Sequence, residues 1–272
     1  MVILHISDIH FRQKYETDGS GYQNMVCAMR SPLISLDFCL THAFEETASC
    51  GEKIGLIAVT GDLCEDGEAE DYRVLREYLE ERTKGIPLAV TLGNHDCKEN
   101  FRTGWLNEPA EGKKGDQPWH RAFPVEDFWV VSLDNAVHGD SNGRITPAHL
   151  EWLKQAFAAA AGRRIILMTH HHMIPGQGPV PPVTYGEEFP ELIRTSPVAC
   201  VLCGHTHHNH EGLLGDKACY TADGMSFYGE NLQDGTVRFR EKFGYSLLKL
   251  EDGIVKERLV RTFDTGRLLG KM

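Results

Sequence analysis

The chain has 272 residues, 41% of them hydrophobic and 25% charged, which is the make-up of a folded globular protein and excludes a disordered, collagen-like or coiled-coil chain. Its 28 basic and 39 acidic residues leave a net charge of −11. That argues against a broad binder of nucleic acid or anionic membranes, though not against an anionic substrate, because bound metal cations can reverse the local field.

Val2 to Ile6 is an apolar run that predicts a strand ending at Ser7-Asp8. With no basic region and no long apolar stretch, the N-terminus does not read as a signal peptide. A polar stretch follows, then a helix from about Pro32 to Ser49. Ile54 to Thr60 predicts a second strand, ending at Gly61-Asp62. Glu68 to Arg82 reads as a helix with Tyr72, Leu75 and Leu79 on one face. Ile86 to Leu92 is a third strand, ending at Gly93-Asn94. Residues 100 to 120 are rich in Gly, Lys, Glu and Pro, show no period, and read as a long loop or insertion. Their Trp105 and Trp119 fit either a lid or packing onto the body.

Phe128 to Leu133 is the next strand. Thr146-Pro147 opens a helix, Thr as cap and Pro in the first turn, and Leu150, Leu153 and Phe157 carry it to Ala161. Ile165 to Thr169 is a strand ending in three histidines, and the Pro- and Gly-rich residues 173 to 186 form a second long loop. A short helix, Glu187 to Arg194, precedes the strand Val198 to Cys203. Beyond it, Tyr245 to Glu251 and Ile254 to Thr262 predict a hairpin turning at Asp252-Gly253. Strands and helices alternate to about residue 205 and short strands dominate afterwards, so the expected class is α/β with a β-rich C-terminal part, in a single domain over 1–272.

No run approaches the ~18 apolar residues of a membrane span. The expected compartment is the cytoplasm, where the eight cysteines stay reduced. Cys200 and Cys203 form a C-x-x-C inside an apolar run with no second pair nearby, and read as buried strand thiols; Cys64 and Cys97, next to candidate ligands, read as small buried thiols.

The chemistry gathers at strand ends. Five segments there carry metal-binding side chains: Asp8-Ile9-His10, Gly61-Asp62, Gly93-Asn94-His95-Asp96, Thr169-His170-His171-His172 and Gly204-His205-Thr206-His207. In α/β proteins, ligand sites form beyond the carboxyl ends of the strands. Each segment alone is unremarkable, since an isolated Asp-x-His is usually a solvated loop and Gly-Asp a turn, but five in succession are not. A carboxylate, amide and imidazole set suits Mn, Fe, Zn or Co. Asp8, His10, Asp62, Asn94, His170, His205 and His207 are too many ligands for one tetrahedral ion and suit two metals sharing one carboxylate. His171 stays open as an alternative to His170. Arg12 and Lys14 read as solvated cations, His208 and His210 as surface residues.

The order D-x-H, GD, GNH-D, H, GH-x-H resembles the calcineurin-like metallophosphoesterase family. The resemblance covers residues 8 to 207 and implies a four-layer α/β fold, a β-sandwich flanked by helices, with a dinuclear centre of divalent or mixed-valence transition metals. Carried over motif by motif, Asp8, His10 and His207 would hold one metal, Asn94, His170 and His205 the other, and Asp62 would bridge; His95 would face the phosphate, held by Asp96. No Arg follows in Gly61-Asp62-Leu63-Cys64-Glu65, unlike the Asp-Arg-Gly of the protein phosphatases, and Glu65 stands where purple acid phosphatases carry Tyr. The sequence is most similar to the small bacterial branch of class III cyclic nucleotide phosphodiesterases and glycerophosphodiesterases. The implied reaction is hydrolysis of a small phosphoester by a metal-activated hydroxide, with His95 stabilising the phosphoryl group or protonating the leaving oxygen. A nucleotidase, or a non-catalytic scaffold on the same fold, is the alternative. No membrane or nucleic-acid partner is expected, and a homo-oligomer stays open.

Overall fold

The structure, a computed structural model, describes residues 1–29, 31–109, 115–178 and 180–272. Parts of the two expected long loops, 110–114 and position 179, lie outside the described residues. The elements run β1 (Val2–Ile6), α1 (Gly21–Ala28), α2 (Pro32–Ser49), β2 (Ile54–Thr60), α3 (Ala69–Thr83), β3 (Leu88–Thr91), α4 (Lys98–Gly104), β4 (Arg121–Val125), β5 (Phe128–Ser132), α5 (Pro147–Ala158), β6 (Arg164–Met168), α6 (Glu188–Thr195), β7 (Val198–Cys203), β8 (His210–Leu214), β9 (Lys217–Thr221), β10 (Tyr228–Asn231), β11 (Val237–Glu251) and β12 (Ile254–Lys271).

Two six-stranded sheets face each other. One has the order β10-β11-β1-β2-β3, with β12 paired to β11; the other is β4-β5-β6-β7-β9-β8. Between them lie Ile3, Leu56, Ala58 and Ala89 from the first sheet and Val130, Ile166, Met168 and Leu202 from the second. The alternate residues Leu4, Ile57 and Val59 pack outward on Leu36 and Leu40 of α2 and on Tyr72, Leu75 and Leu79 of α3. On the far side, Val131, Leu167 and Val201 pack on Leu153 and Phe157 of α5 and on Phe189 and Ile193 of α6. Helix, sheet, sheet, helix is thus the layer order. It explains why β1, β2 and β7 are apolar runs rather than alternating patterns: parallel strands covered on both faces have no polar side. β1, β2 and β3 run parallel, as do β5, β6, β7 and β9, so their carboxyl ends gather at one rim.

Local signals terminate the helices. Thr146 accepts from the His149 N–H while the His149 ring returns the bond to the Thr146 N–H, a closed capping box ahead of Pro147. The hairpin turns at Asp252-Gly253, both left-handed with φ of 52° and 74°, the conformation a two-residue type I′ turn requires.

Three expectations need correction. Residues 98–104 form helix α4 within the stretch expected to be loop. Its Phe101 is fully buried, edge-on to Tyr72 of α3, and a distant partner leaves no local period. Trp105 and Trp119 pack on that Phe101, with ring centroids 5.7 and 4.8 Å away, so they belong to the body of the fold. Helix α1 lies in the stretch expected to be merely polar. Ser20 caps it, and Met25 and Val26 dock on Phe227, Phe239 and Leu269. Arg12 is a buried residue, held by Asp66 at 2.6 Å and Gln23 at 3.0 Å.

Cys200 and Cys203 are fully buried on β7 and unpaired, as expected. No described helix is long and apolar enough to cross a membrane.

Candidate metal centre

The backbone at the rim is bent sharply. Asp8, His10, Asp62, His205 and His207 all lie in the left-handed region, with φ between 47° and 75°. Such a conformation costs a non-glycine residue of order 1–3 kcal/mol and persists only where the surroundings enforce it. Here it turns side chains that leave different strands toward one point. The motif glycines make room: a Cβ on Gly93 would collide with the Asp62 carboxylate, and one on Gly204 with Ser7.

Three trios have ligand atoms mutually within 4.8 Å: Asp8–His10–His207 and Asp62–His170–His205, which face each other, and His10–Glu65–His95, in which Glu65 takes the far nitrogen of His10. His207 Nε2 lies 3.3 Å from Asp8 Oδ1 and 3.2 Å from His10 Nε2. His170 Nε2 lies 3.2 Å from both Asp62 Oδ2 and Asn94 Oδ1. Asp62 Oδ2 is also 3.6 Å from His10 Nε2, so this one oxygen stands between the two facing trios, while Oδ1 accepts the His95 N–H at 2.8 Å.

Hydrogen bonding on the far side of each ring fixes its tautomer. His170 Nδ1 donates to the Thr60 carbonyl and His207 Nδ1 to the Phe227 carbonyl, both at 2.7 Å. His10 Nδ1 faces the Glu65 carboxylate at 2.6 Å. A carbonyl or carboxylate can only accept, so in the neutral rings the proton sits on Nδ1 and Nε2 presents a lone pair. Those lone pairs face each other or face carboxylate and amide oxygens. His205 Nε2 is buried with no partner among the described residues. With neutral rings these acceptors would crowd against acceptors, so the site calls for positive charge between them, a proton on Nε2 or a metal ion.

The electrostatics agree. Burial raises the Asp8 and Asp62 carboxyls, but the histidines outweigh it: His207 and His170 hold Asp8 below its ordinary range, and His170 and His95 do the same to Asp62. Burial likewise lowers His170, yet Asp62 and Asp8 carry it up to about 9 without metal. His205, buried beside cationic His170, drops to about 3. His171 is fully buried, its ring nitrogens are unpartnered, and it belongs to none of the trios; of the two histidines left open, His170 is the one placed beside Asp62.

His95 stands apart. It is 27% exposed, against 0–7% for Asp8, His10, Asp62, His170 and His207. It sits edge-on to His10 at 4.7 Å, with Tyr22 stacked beyond it at 6.2 Å. Asp96 does not hold this ring. Its carboxylate turns inward to accept the N–H groups of Gly93, Leu63 and Cys64 and the Tyr72 hydroxyl, which occupies its acceptor sites. Burial and the Asp62 charge push its pKa up to about 7. His95 Nδ1 instead faces the Glu65 carbonyl at 3.0 Å.

Glu65 is what sequence reading missed. One carboxylate oxygen takes His10 Nδ1, and the other takes the Tyr22 hydroxyl at 2.9 Å and lies 3.6 Å from His95 Nδ1. Burial works against its ionised form, but His10 and His95 prevail and lower its pKa to about 2. The spacing of three from Asp62 was visible; its partners were not. Loss of such a carboxylate behind a ligand histidine typically costs about 10- to 100-fold in metal affinity. Glu65→Gln is therefore expected to weaken metal binding by that factor in a chelator-competition titration, and unchanged affinity would remove Glu65 from the centre.

A family model described as calcineurin-like phosphoesterase matches residues 1–209, a span that contains every motif from Asp8 to His207. The chain is 27% identical over 234 residues to a cAMP/cGMP dual specificity phosphodiesterase of Mycobacterium tuberculosis, covering 82% of this chain and 69% of that protein. It is 29% identical over 217 residues to the 3′,5′-cyclic adenosine monophosphate phosphodiesterase CpdA of Escherichia coli, covering 75% and 69%. It is 25% identical over 221 residues to the glycerophosphodiester phosphodiesterase GpdQ of Enterobacter lignolyticus, covering 76% and 71%.

Proposed function

This chain belongs to the calcineurin-like phosphoesterase family, and from that premise we propose that it is a two-metal phosphodiesterase acting on small diesters such as 3′,5′-cyclic nucleotides. The observation that carries the reading is the pair of ligand trios with Asp62 Oδ2 between them. Asp8, His10 and His207 would hold one transition metal, Asn94, His170 and His205 the second, and Asp62 both. Mn, Fe, Zn and Co all suit these oxygen and nitrogen donors. When bound, such ions polarise the phosphoryl oxygens and lower the pKa of water into the neutral range.

The chain's own residues do the rest. Thr60, Phe227 and Glu65 keep the ligand rings in the Nδ1–H tautomer. His95, a partly exposed ring, would reach the substrate side with its Nε2 while Nδ1 is held by the Glu65 carbonyl. In the metal-free site burial lowers its pKa, and Asp62 and Glu65 outweigh that and raise it; its place beside the ligands without being one of them is what fits it as a proton donor to the leaving oxygen. The relatives named for cyclic nucleotides and glycerophosphodiesters support the diester class. Eight unpaired cysteines suit the reducing cytoplasm.

The test is a panel of diesters and monoesters on metal-reconstituted protein. Bis(p-nitrophenyl) phosphate and 3′,5′-cAMP should be hydrolysed, with loss on chelation. Strong turnover of nucleotide monophosphates with none of any diester would assign a nucleotidase instead, and no turnover of either class a scaffold.

A further inference from the structure

Helix α1 supplies none of the candidate ligands, yet side chains along its length fasten it to the rim. Gln23 Oε1 takes the Arg12 guanidinium at 3.0 Å, and Arg12 pairs with Asp66 at 2.6 Å, which joins the helix to the segments that follow His10 and Glu65. Met25 and Val26 dock on Phe227, whose ring packs on those of His207 and His10 with centroids 4.2 and 5.3 Å away. Tyr22 makes a further attachment, its hydroxyl donating to Glu65 Oε1 at 2.9 Å. A helix of eight residues has little stability of its own, so these attachments fix its place. What it presents to the site is Tyr22.

Tyr22 meets both groups that decide where His95 sits. Its ring lies alongside the His95 ring, with centroids 6.2 Å apart and 30° between the planes. Its hydroxyl holds one oxygen of the Glu65 carboxylate, while the other oxygen faces His10 Nδ1 at 2.6 Å. The carboxylate is thus tied at both ends. Oε1 stands 3.6 Å from His95 Nδ1, too far for a hydrogen bond, and that nitrogen faces the Glu65 carbonyl at 3.0 Å instead. An ionised carboxylate is the stronger acceptor of the two. Released by Tyr22, Oε1 would be free to close on His95 Nδ1 and draw the ring toward Glu65. Burial and the Glu65 charge push the Tyr22 phenol well above its ordinary value, so at neutral pH it stays a donor.

We propose that Tyr22 is a positioning residue for His95: by holding Glu65 Oε1 and lying along the imidazole, it keeps that ring directed at the leaving oxygen of the substrate. This rests on the phosphoesterase reading above and adds a residue to it that supplies neither a ligand nor a proton.

Tyr22→Phe removes the hydroxyl and keeps the ring. In Mn²⁺-reconstituted protein it should keep the metal content of the unmodified chain and its KM for 3′,5′-cAMP, and lower kcat by about 10- to 100-fold, the scale of a misplaced reacting group. The loss should be smaller on bis(p-nitrophenyl) phosphate, whose leaving group needs little protonation. Added to His95→Ala, Tyr22→Phe should cost nothing further, because both changes remove one function. Tyr22→Leu should show the same pattern, and serves if the Phe variant does not fold. Unchanged kcat in a folded, metal-loaded variant, equal losses on the two diesters, a loss that adds to that of His95→Ala, or a loss confined to metal content would each overturn the proposal. The two readings fail differently. Diester turnover that Tyr22→Phe leaves intact rejects the positioning role alone. If the unmodified chain turns over monoesters only, the diester class falls and the same comparison is made between a nucleotide monophosphate and p-nitrophenyl phosphate. No turnover of any ester rejects the enzyme and this role with it.

Discussion

Asp62→Asn should lower affinity for both metals by more than about 100-fold and abolish most diester hydrolysis. Asparagine is nearly isosteric, and its amide oxygen can keep the bond from the His95 N–H that Asp62 Oδ1 accepts at 2.8 Å. The loop therefore has no reason to rearrange. What disappears is the charge, together with the acceptor at Oδ2, the atom 3.6 Å from His10 Nε2 and 3.2 Å from His170 Nε2. In place of that carboxylate oxygen the variant puts an amide N–H₂, a donor, which no cation accepts as a ligand. Removing a group behind a ligand costs about 10- to 100-fold in affinity; removing a ligand that serves two ions should cost more. Elemental analysis after reconstitution and dialysis is the measurement. The unmodified chain should approach two transition metals, and the variant should retain substoichiometric amounts. Saturation of the unmodified chain at one ion, or a variant that keeps two, would reject the shared-carboxylate centre.

His95→Ala should behave in the opposite way, losing turnover while keeping metal. The ring belongs to neither trio that includes Asp8 or Asp62. At 27% exposure its removal leaves a solvated notch rather than a core cavity. Proton transfer by a positioned side chain typically contributes about 10²- to 10⁴-fold, and that is the drop expected in kcat for 3′,5′-cAMP at full metal loading. Substrates with better leaving groups should suffer less, because they need less protonation as they depart. A smaller loss on bis(p-nitrophenyl) phosphate than on cAMP would carry that signature. A variant that loses metal but keeps its specific activity per metal would instead make His95 a ligand.

Much of this was legible in the residues themselves. β1, β2 and β7 stand out as apolar runs, broken in β1 only by His5, because both faces of a parallel strand are covered in the finished fold. The helix at Pro32–Ser49 was read to both ends because the Pro opens it and its apolar stripe lasts five turns. Asp252-Gly253 announced its hairpin because an Asp-Gly pair readily takes the two left-handed conformations of a type I′ turn. The candidate ligands were also visible, since each comes shortly after an apolar strand, β1, β2, β3, β6 or β7.

What the sequence left undecided involves partners far away along the chain. Helices α1 and α4 have eight and seven residues, too few to stand without the residues they dock on. Asp96 follows His95 directly, and the family resemblance implied a contact; the fold turns its carboxylate inward onto backbone N–H groups 32 and 33 residues earlier. Glu65 meets His10 across 55 positions, and His207 meets His10 across 197. Composition and strand-end position determined which side chains could bind metal in this protein. Only the packing of two sheets, with five residues bent into left-handed backbone at their common rim, decided which of them meet, and which neighbour holds each ring.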